Sequence, residues 1–457
     1  MERTQKSRVI DMTKGDPARL LLAFALPLFF GNLLQQFYNL ADTSIAGHIL
    51  GDNALAQIGA TSALYSLITN FAFGLNNGLA LMVSRYFGAD DRPRLLQSVC
   101  WMTTLSLIFS LLLTAGFLAF RYPLLILLQV PPEIMDGAME YLTVILAGIP
   151  LTMAYNLEAG LLRSVGNSVT PLLLLLFSSL LNIGLDVWFM GPLDMGVRGA
   201  AVATVLSQGI SAVLGLLYII RCYAWLRFGR RQWRVSPKFV LEMLTTGLSM
   251  ALMGTIYNIG SVTLQSSINA LGETYIAAQV AARRLAELFY LPGGALSTSM
   301  ATYASQNYGA HKRRRIAEGI RTTLFLYTFW WITAVVITFA FADSAIRLIT
   351  GTSSQEVVRS AELYLHISIP LMPPMAVLVI LRNTLQGMGQ PFMPLFCSTL
   401  ELAGKVIFAF FAVPVWGYLA VCICEPVTWV ICVACISGWT FLHRAEFRDE
   451  PGMPAQP

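Results

Sequence analysis

Leu20 to Ala41 contains no Asp, Glu, Lys or Arg, and the same holds for Asn53 to Ser84, Leu95 to Phe120, Ser164 to Leu185, Gly199 to Ile220 and Met243 to Gly272. Runs of this length constrain the fold more than any other feature. About 20 apolar residues carry a helix across a bilayer, and within lipid a helix is one of only two structures that satisfy the whole backbone. The remaining charge is sparse and clustered. Charged residues make up 12% of the 457, hydrophobic residues 56%, and the mean hydropathy is +0.64. A soluble domain carries roughly twice that charge. The chain reads as an all-α membrane protein.

Twelve spans are expected, at about 20–45, 54–83, 96–118, 138–162, 168–190, 199–220, 243–267, 275–303, 320–341, 360–383, 392–413 and 418–441. The first is too long for a removable signal peptide and lacks the small-residue cleavage site. With the N-terminus placed inside, the inner segments hold 23 of the 30 basic residues: Arg3, Lys6, Arg8, Lys14, Arg19, Arg85, Arg92, Arg94, Arg163, six from Arg221 to Lys238, Lys312 to Arg315, Arg321, Arg382, Arg444 and Arg448. The outer loops hold Arg121, Arg198, Arg347 and Arg359; Arg283, Arg284 and Lys405 lie within helices. This asymmetry places both termini in the cytoplasm. The net charge of +5 therefore reflects topology. No basic face interleaved with aromatics points to nucleic acid.

Cys422, Cys424, Cys432 and Cys435 share one expected helix. With no second ligand pair to complete a tetrahedral metal site, they read as small buried hydrophobes.

The chain repeats itself. SRYFGADDRPR at 84–94 matches SQNYGAHKRRR at 305–315, an offset of 221, and at that offset Gly51-Asp52 falls on Gly272-Glu273. LLRSVGNSVTP at 161–171 resembles TLQGMGQPFMP at 384–394, an offset of 223. The expected architecture is two homologous six-helix lobes around a central cavity, 1–220 and 239–457, joined by a cytoplasmic linker at 221–238. A repeat of six spans keeps its orientation, as in many secondary transporters.

The stretch MTKGDPARLLLAFALPLFFGNLLQQFYNLADTSIAGHILG, the YFGA and YGA after helices 2 and 8, RSVGN after helix 4 and NIGLD in helix 5 resemble the multidrug and toxic compound extrusion (MATE) transporters over roughly 10–440. The resemblance implies a cation antiporter that exports amphipathic, often cationic, compounds in exchange for H⁺ or Na⁺.

A charged aspartate at mid-membrane costs about 2.5–3.5 kcal/mol on insertion scales. It persists where it faces a cavity, pairs with a cation or takes a proton. Asp42, Asp186 and Thr204 fall at similar depth on three helices of the first lobe. Tyr38 and Asn182 each lie one turn before an aspartate, on the same helix face. No basic residue falls within a helix predicted for this lobe. Two carboxylates in low dielectric without a countercharge favour the neutral form, and when close they titrate as a pair. Their oxygens are also hard ligands suited to Na⁺. The resemblance assigns Asp42, Asn182, Asp186 and Thr204 to a cation-binding network, with Tyr38 as the tyrosine of the helix-1 motif; Asn156 in helix 4 matches less closely. Capping of helix ends by the two aspartates, and plain helix–helix hydrogen bonding by Thr204 and Asn156, are the structural alternatives.

The second lobe carries Arg283, Arg284, Glu287, Glu401, Lys405 and Glu425. Arg283–Glu287 and Glu401–Lys405 are i,i+4 pairs, and Glu425 has no partner in sequence. Thr263 stands opposite Asp42 in the repeat, so the acid is not duplicated; helix 7 offers only Asn258 and Gln265. The expectation is that the first lobe carries the coupling ion, while Gln265, Arg284, Glu287, Glu401, Lys405 and Glu425 shape a cavity. Pro27, Pro150, Pro370, Pro373 and Pro374 mark bends. Bending of helix 1 at Pro27 would move Asp42 relative to Asp186.

The functional reading is a multidrug efflux antiporter, with H⁺ favoured over Na⁺, no cofactor, small-molecule substrates and membrane lipid as partners, monomeric, in a bacterial cytoplasmic membrane. The alternative is a flippase for lipid-linked precursors, favoured only by Arg283 and Arg284. A membrane enzyme is not supported. There is no metal-ligand spacing or serine elbow, and the GxG at Gly387–Gly389 lacks the rest of a phosphate-binding fingerprint.

Overall fold

The computed structural model describes residues 9–351 and 354–447. Arg3, Lys6, Arg8 and Arg448 of the basic inventory lie outside them. Among the described residues there are helices and no strands. They run α1 (Pro17–Leu50), α2 (Asp52–Gly88), α3 (Arg92–Leu127), α4 (Met135–Ala147), α5 (Ile149–Ser164), α6 (Val169–Met190), α7 (Gly196–Cys222), α8 (Pro237–Asn269), α9 (Glu273–Gly309), α10 (Arg313–Thr350), α11 (Gln355–Ser368), α12 (Met372–Gly387), α13 (Phe392–Ile407), α14 (Val413–Trp416) and α15 (Tyr418–Leu442).

Twelve spans follow. Nine helices are long and apolar enough alone, with α13 and α14 counted together, and two more spans are bent pairs. The stretch from Pro132 through α4 meets α5 at 44°, and α11 meets α12 at 54°. Pro150, and Pro370 with Pro373, sit at these breaks, where proline removes a backbone donor. The twelfth span is α9. It is 37 residues long, but its charges and its many Ala, Ser and Thr residues leave it outside the helices apolar enough to cross on composition. α1, by contrast, runs unbroken through Pro27.

The internal repeat is written in the backbone. Left-handed residues recur at Gly51 and Gly272, Asp90 and His311, Gln129 and Gly351, Gly166 and Gly389, and Gly196 and Gly417. Gly51 and Gly272 (φ 79° and 106°) reverse the chain with no loop to spare, a conformation that favours glycine.

Two compact units result. The first comprises Met1–Asp11, Phe30–Phe87 and Asp91–Ala251; the second comprises Met12–Phe29, Gly88–Asp90 and Leu252–Pro457. α1 thus changes unit between Phe29 and Phe30, and α8 changes unit between Ala251 and Leu252. In the first unit, α2 and the start of α8 cross at backbone contact. A Cβ at Gly78 would stand 2.7 Å from the Gly247 Cα, and one at Gly74 2.8 Å from the Ala251 Cα. Small residues permit this approach. In the second unit, a wide turn at Phe408–Ala412 interrupts the eleventh span. Pro414, five residues after Ala409, has no N–H to give the Ala409 carbonyl, and the Ser267 hydroxyl donates there instead at 3.0 Å.

Candidate functional site

In the first unit, α1, α6 and α7 bring Tyr38, Asp42, Asn182, Asp186 and Thr204 together. Asp42 and Asp186 lie close enough for their carboxyls to act on one another. Neighbouring carboxyls without a countercharge favour sharing a proton over carrying two negative charges. Asn182 joins the parts: with its amide nitrogen turned toward Asp186 it donates to Asp186 Oδ2 at 2.7 Å and to Tyr38 Oη at 3.2 Å, and its oxygen accepts from the Thr204 N–H at 3.1 Å. Tyr38 and Thr204 also stand beside one another. Asp186 is fully buried, Asn182 is 1% exposed, and Asp42 is half-buried. One oxygen on each aspartate, Oδ1 in both cases, is enclosed without a partner. No ion pair to either acid exists among the described residues. The site can take up protons, or a small hard cation, and can hold a positive charge.

Asn156 stands apart. Its amide donates to the Thr152 carbonyl of its own helix at 2.9 Å, and no described hydrogen bond joins it to either aspartate. Residues not anticipated complete the surroundings. Tyr65 and Tyr141 lie near enough to Asp42 to feel its charge. Gln208 donates to Tyr65 Oη at 3.4 Å and accepts from Thr152 Oγ1 at 2.6 Å. Gln208 lies four residues after Thr204, and Thr152 four before Asn156. That spacing was a readable signal.

Two further groups of this unit depart from expectation. Arg163 lies in α5, 9% exposed, and donates to Asn77 Oδ1 at 2.9 Å; a basic residue is therefore present in a helix of this unit, because α5 continues past 162. Glu158 is also buried in α5, at 6% exposure, and was not among the expected site residues.

The second unit holds a separate buried cluster. Glu425 on α15 receives Arg283 Nη1 at 3.0 Å and Lys405 Nζ at 3.3 Å, and the Tyr364 hydroxyl donates to its Oε2 at 3.2 Å. Lys405 also reaches Ser261 Oγ at 3.1 Å and lies 3.9 Å from the Tyr257 ring centroid. Arg283 donates to Tyr257 Oη at 2.5 Å and stands 3.6 Å from the half-exposed Glu287. The expected Glu401–Lys405 pair does not form: Glu401 takes Arg382 at 2.6 Å, and Lys405 turns to Glu425. Arg382, expected in a cytoplasmic segment, is buried in α12 at 7% exposure. Glu425, without a partner in sequence, is the most heavily bonded acid of the unit. Gln265 is tied to Asn269 of its own helix at 2.9 Å, and Arg284 is exposed without an ion pair among the described residues.

The MatE family pattern matches residues 27–188 and again 248–411; 248 lies 221 beyond 27 and 411 lies 223 beyond 188, the offsets of the internal repeat. A probable multidrug resistance protein of Bacillus subtilis, YpnP, is 30% identical over 316 residues, 68% of this chain and 69% of that one. A probable multidrug resistance protein of Thermotoga maritima, NorM, is 26% identical over 84% of this chain and 82% of its own. The outward-facing structure of a multidrug resistance MATE family transporter of the MOP superfamily has the same fold, with a TM-score of 0.88 at 22% identity over 97% of this chain and 99% of that one.

Proposed function

This chain belongs to the multidrug and toxic compound extrusion family of membrane transporters, and on that footing we propose that it is a proton-coupled antiporter exporting amphipathic cations from the bacterial cytoplasm. The pairing of Asp42 with Asp186, with no ion pair to either among the described residues, carries this reading. Two neighbouring acids with no cation beside them are suited to exchange protons. With both carboxyls ionised, the site attracts a cationic substrate. Protons arriving from outside neutralise the pair, the attraction is lost and the substrate leaves. The protein then turns inward, releases its protons and loads again. Tyr38, Asn182 and Thr204 hold the two acids in register. The basic ends of the helices face the cytoplasm, as do both termini.

The buried charges of the second unit compensate one another, so they fix helix positions around the substrate path and do not bind the coupling ion.

The test is ethidium export in everted vesicles, read as accumulation in the lumen, under ΔpH or a Na⁺ gradient, imposed separately, for wild type and Asp42→Asn. Export driven by ΔpH and lost in the variant supports the proposal. Export driven by Na⁺ alone makes the two free Oδ1 atoms metal ligands. Export under neither gradient moves attention to lipid-linked precursors.

A further inference from the structure

We propose that Glu158 is a second proton-carrying site of the first unit, which takes protons released by the Asp42–Asp186 pair and delivers them toward the cytoplasm. This rests on the proton-coupled reading above.

Glu158 sits on α5 six residues before Ser164, near the end of the unit marked by Arg85, Arg163 and Arg221. Asp42, Asp186 and Thr204 lie toward the other end. The Glu158 side chain is buried, and its Oε2 has no hydrogen-bond partner. It faces Gly215 of α7, where an added Cβ would run into Oε2; Leu174 of α6 borders the same glycine. No ion pair to it exists among the described residues. On its own helix, Tyr155 lies one turn before it, and Arg163 is turned to Asn77 and the Phe73 ring, 5.6 Å away. α6 carries no titratable group nearer in sequence to Leu174 than Asp186, α7 brings Tyr218 one turn beyond Gly215, and α3 packs Met102 against the neighbouring Gly160. A glutamate enclosed in this way with no cation beside it has no structural pair to explain it.

A line of buried polar groups leads to it from the aspartates. On α7, Thr204, Ser207, Gln208, Ser211 and Gly215 follow at helical spacing along about 16 Å. Ser207 donates to the Thr204 carbonyl at 3.0 Å, and Ser211 donates to the Leu174 carbonyl at 2.9 Å, while Leu174 and Glu158 both border Gly215. Ser178 and Ser179 of α6, 7% and 5% exposed, lie between Asp186 and Leu174. In the transfer, a carboxylic acid of the pair gives up its proton and becomes a carboxylate. The Glu158 carboxylate accepts one to become neutral, then yields it to water at the basic end. Gly215 leaves room for Oε2 in either state.

The experiment uses the purified full-length transporter in liposomes with ethidium as probe. It measures ΔpH-driven transport and ethidium–ethidium exchange at equal pH, which moves no net proton. Glu158→Gln is expected to lower ΔpH-driven transport at least tenfold and to keep exchange within twofold of wild type, with Glu158→Asp restoring most of the driven rate. Wild-type driven transport in Glu158→Gln overturns the proposal. So does loss of exchange in step with driven transport, which marks a structural role. Asp42→Asn and the wild type under a Na⁺ gradient report on the underlying reading separately: if ΔpH does not drive the wild type, or still drives Asp42→Asn, proton coupling at the pair fails and Glu158 falls with it.

Discussion

Arg382 Nη2 and Glu401 Oε2 stand 2.6 Å apart with 8% and 11% of their side chains exposed, a charge pair closed between α12 and α13. Removing one partner leaves the other charged and dry, which costs about 3–5 kcal/mol, whereas replacing both with apolar residues of similar size is often neutral. Arg382→Met and Glu401→Leu are each expected to lower the unfolding temperature in detergent sharply. The double variant should recover most of the loss. Additive losses would show that the two residues act independently.

Glu425 presents a related imbalance. It holds both Arg283 and Lys405, so Glu425→Gln strands the buried Lys405 and leaves Arg283 only the half-exposed Glu287, while Lys405→Met leaves Glu425 paired with Arg283. The glutamine variant should be the less stable of the two, read as the fraction surviving heating as a monodisperse species. The reverse order would mean that Lys405, through Tyr257 and Ser261, matters more than the acid.

The proposed coupling makes protons and a cationic substrate compete for the carboxyls of Asp42 and Asp186, so ethidium affinity should rise with pH, by up to about tenfold per pH unit for each proton displaced. Asp42→Asn should flatten that slope and weaken binding. A slope unchanged in the variant, measured by fluorescence titration in detergent, would place the competition elsewhere.

Helix contact at Gly78 gives a fourth expectation. A methyl group there would meet the α8 backbone at 2.7 Å, and overpacking of this kind costs about 1–3 kcal/mol. Gly78→Ala should destabilise the protein. Gly59→Ala, which meets nothing within 4 Å, should be neutral or slightly stabilising because alanine favours helix. Equal effects on thermal stability would count against the close crossing.

The number and order of spans were legible because a bilayer sets a minimum apolar length. Their ends were less so: α10 runs Arg313–Thr350 where apolarity marks only 320–341, since a helix continues into polar surroundings with its backbone bonds intact. Asp42 and Asp186 stood out because nothing in sequence compensates them. The partners of Glu401 and Lys405 did not, because i,i+4 spacing is the only ion-pair geometry that a sequence displays, and Arg382–Glu401 and Lys405–Glu425 join different helices. Glu158 is not singled out by the sequence, because nothing in it shows that α5 continues to Ser164 and buries both Glu158 and Arg163.

The change of unit midway along α1 and α8 has a consequence for how the protein is made. Residues 12–29 emerge from the ribosome well before Leu252, where the main part of their unit starts, and the first unit is incomplete until Ala251 has been added. Neither half of the chain, severed in the loop between α7 and α8, would own all of its unit. Such fragments should survive in a membrane only when produced together, each lending the other the segment it lacks.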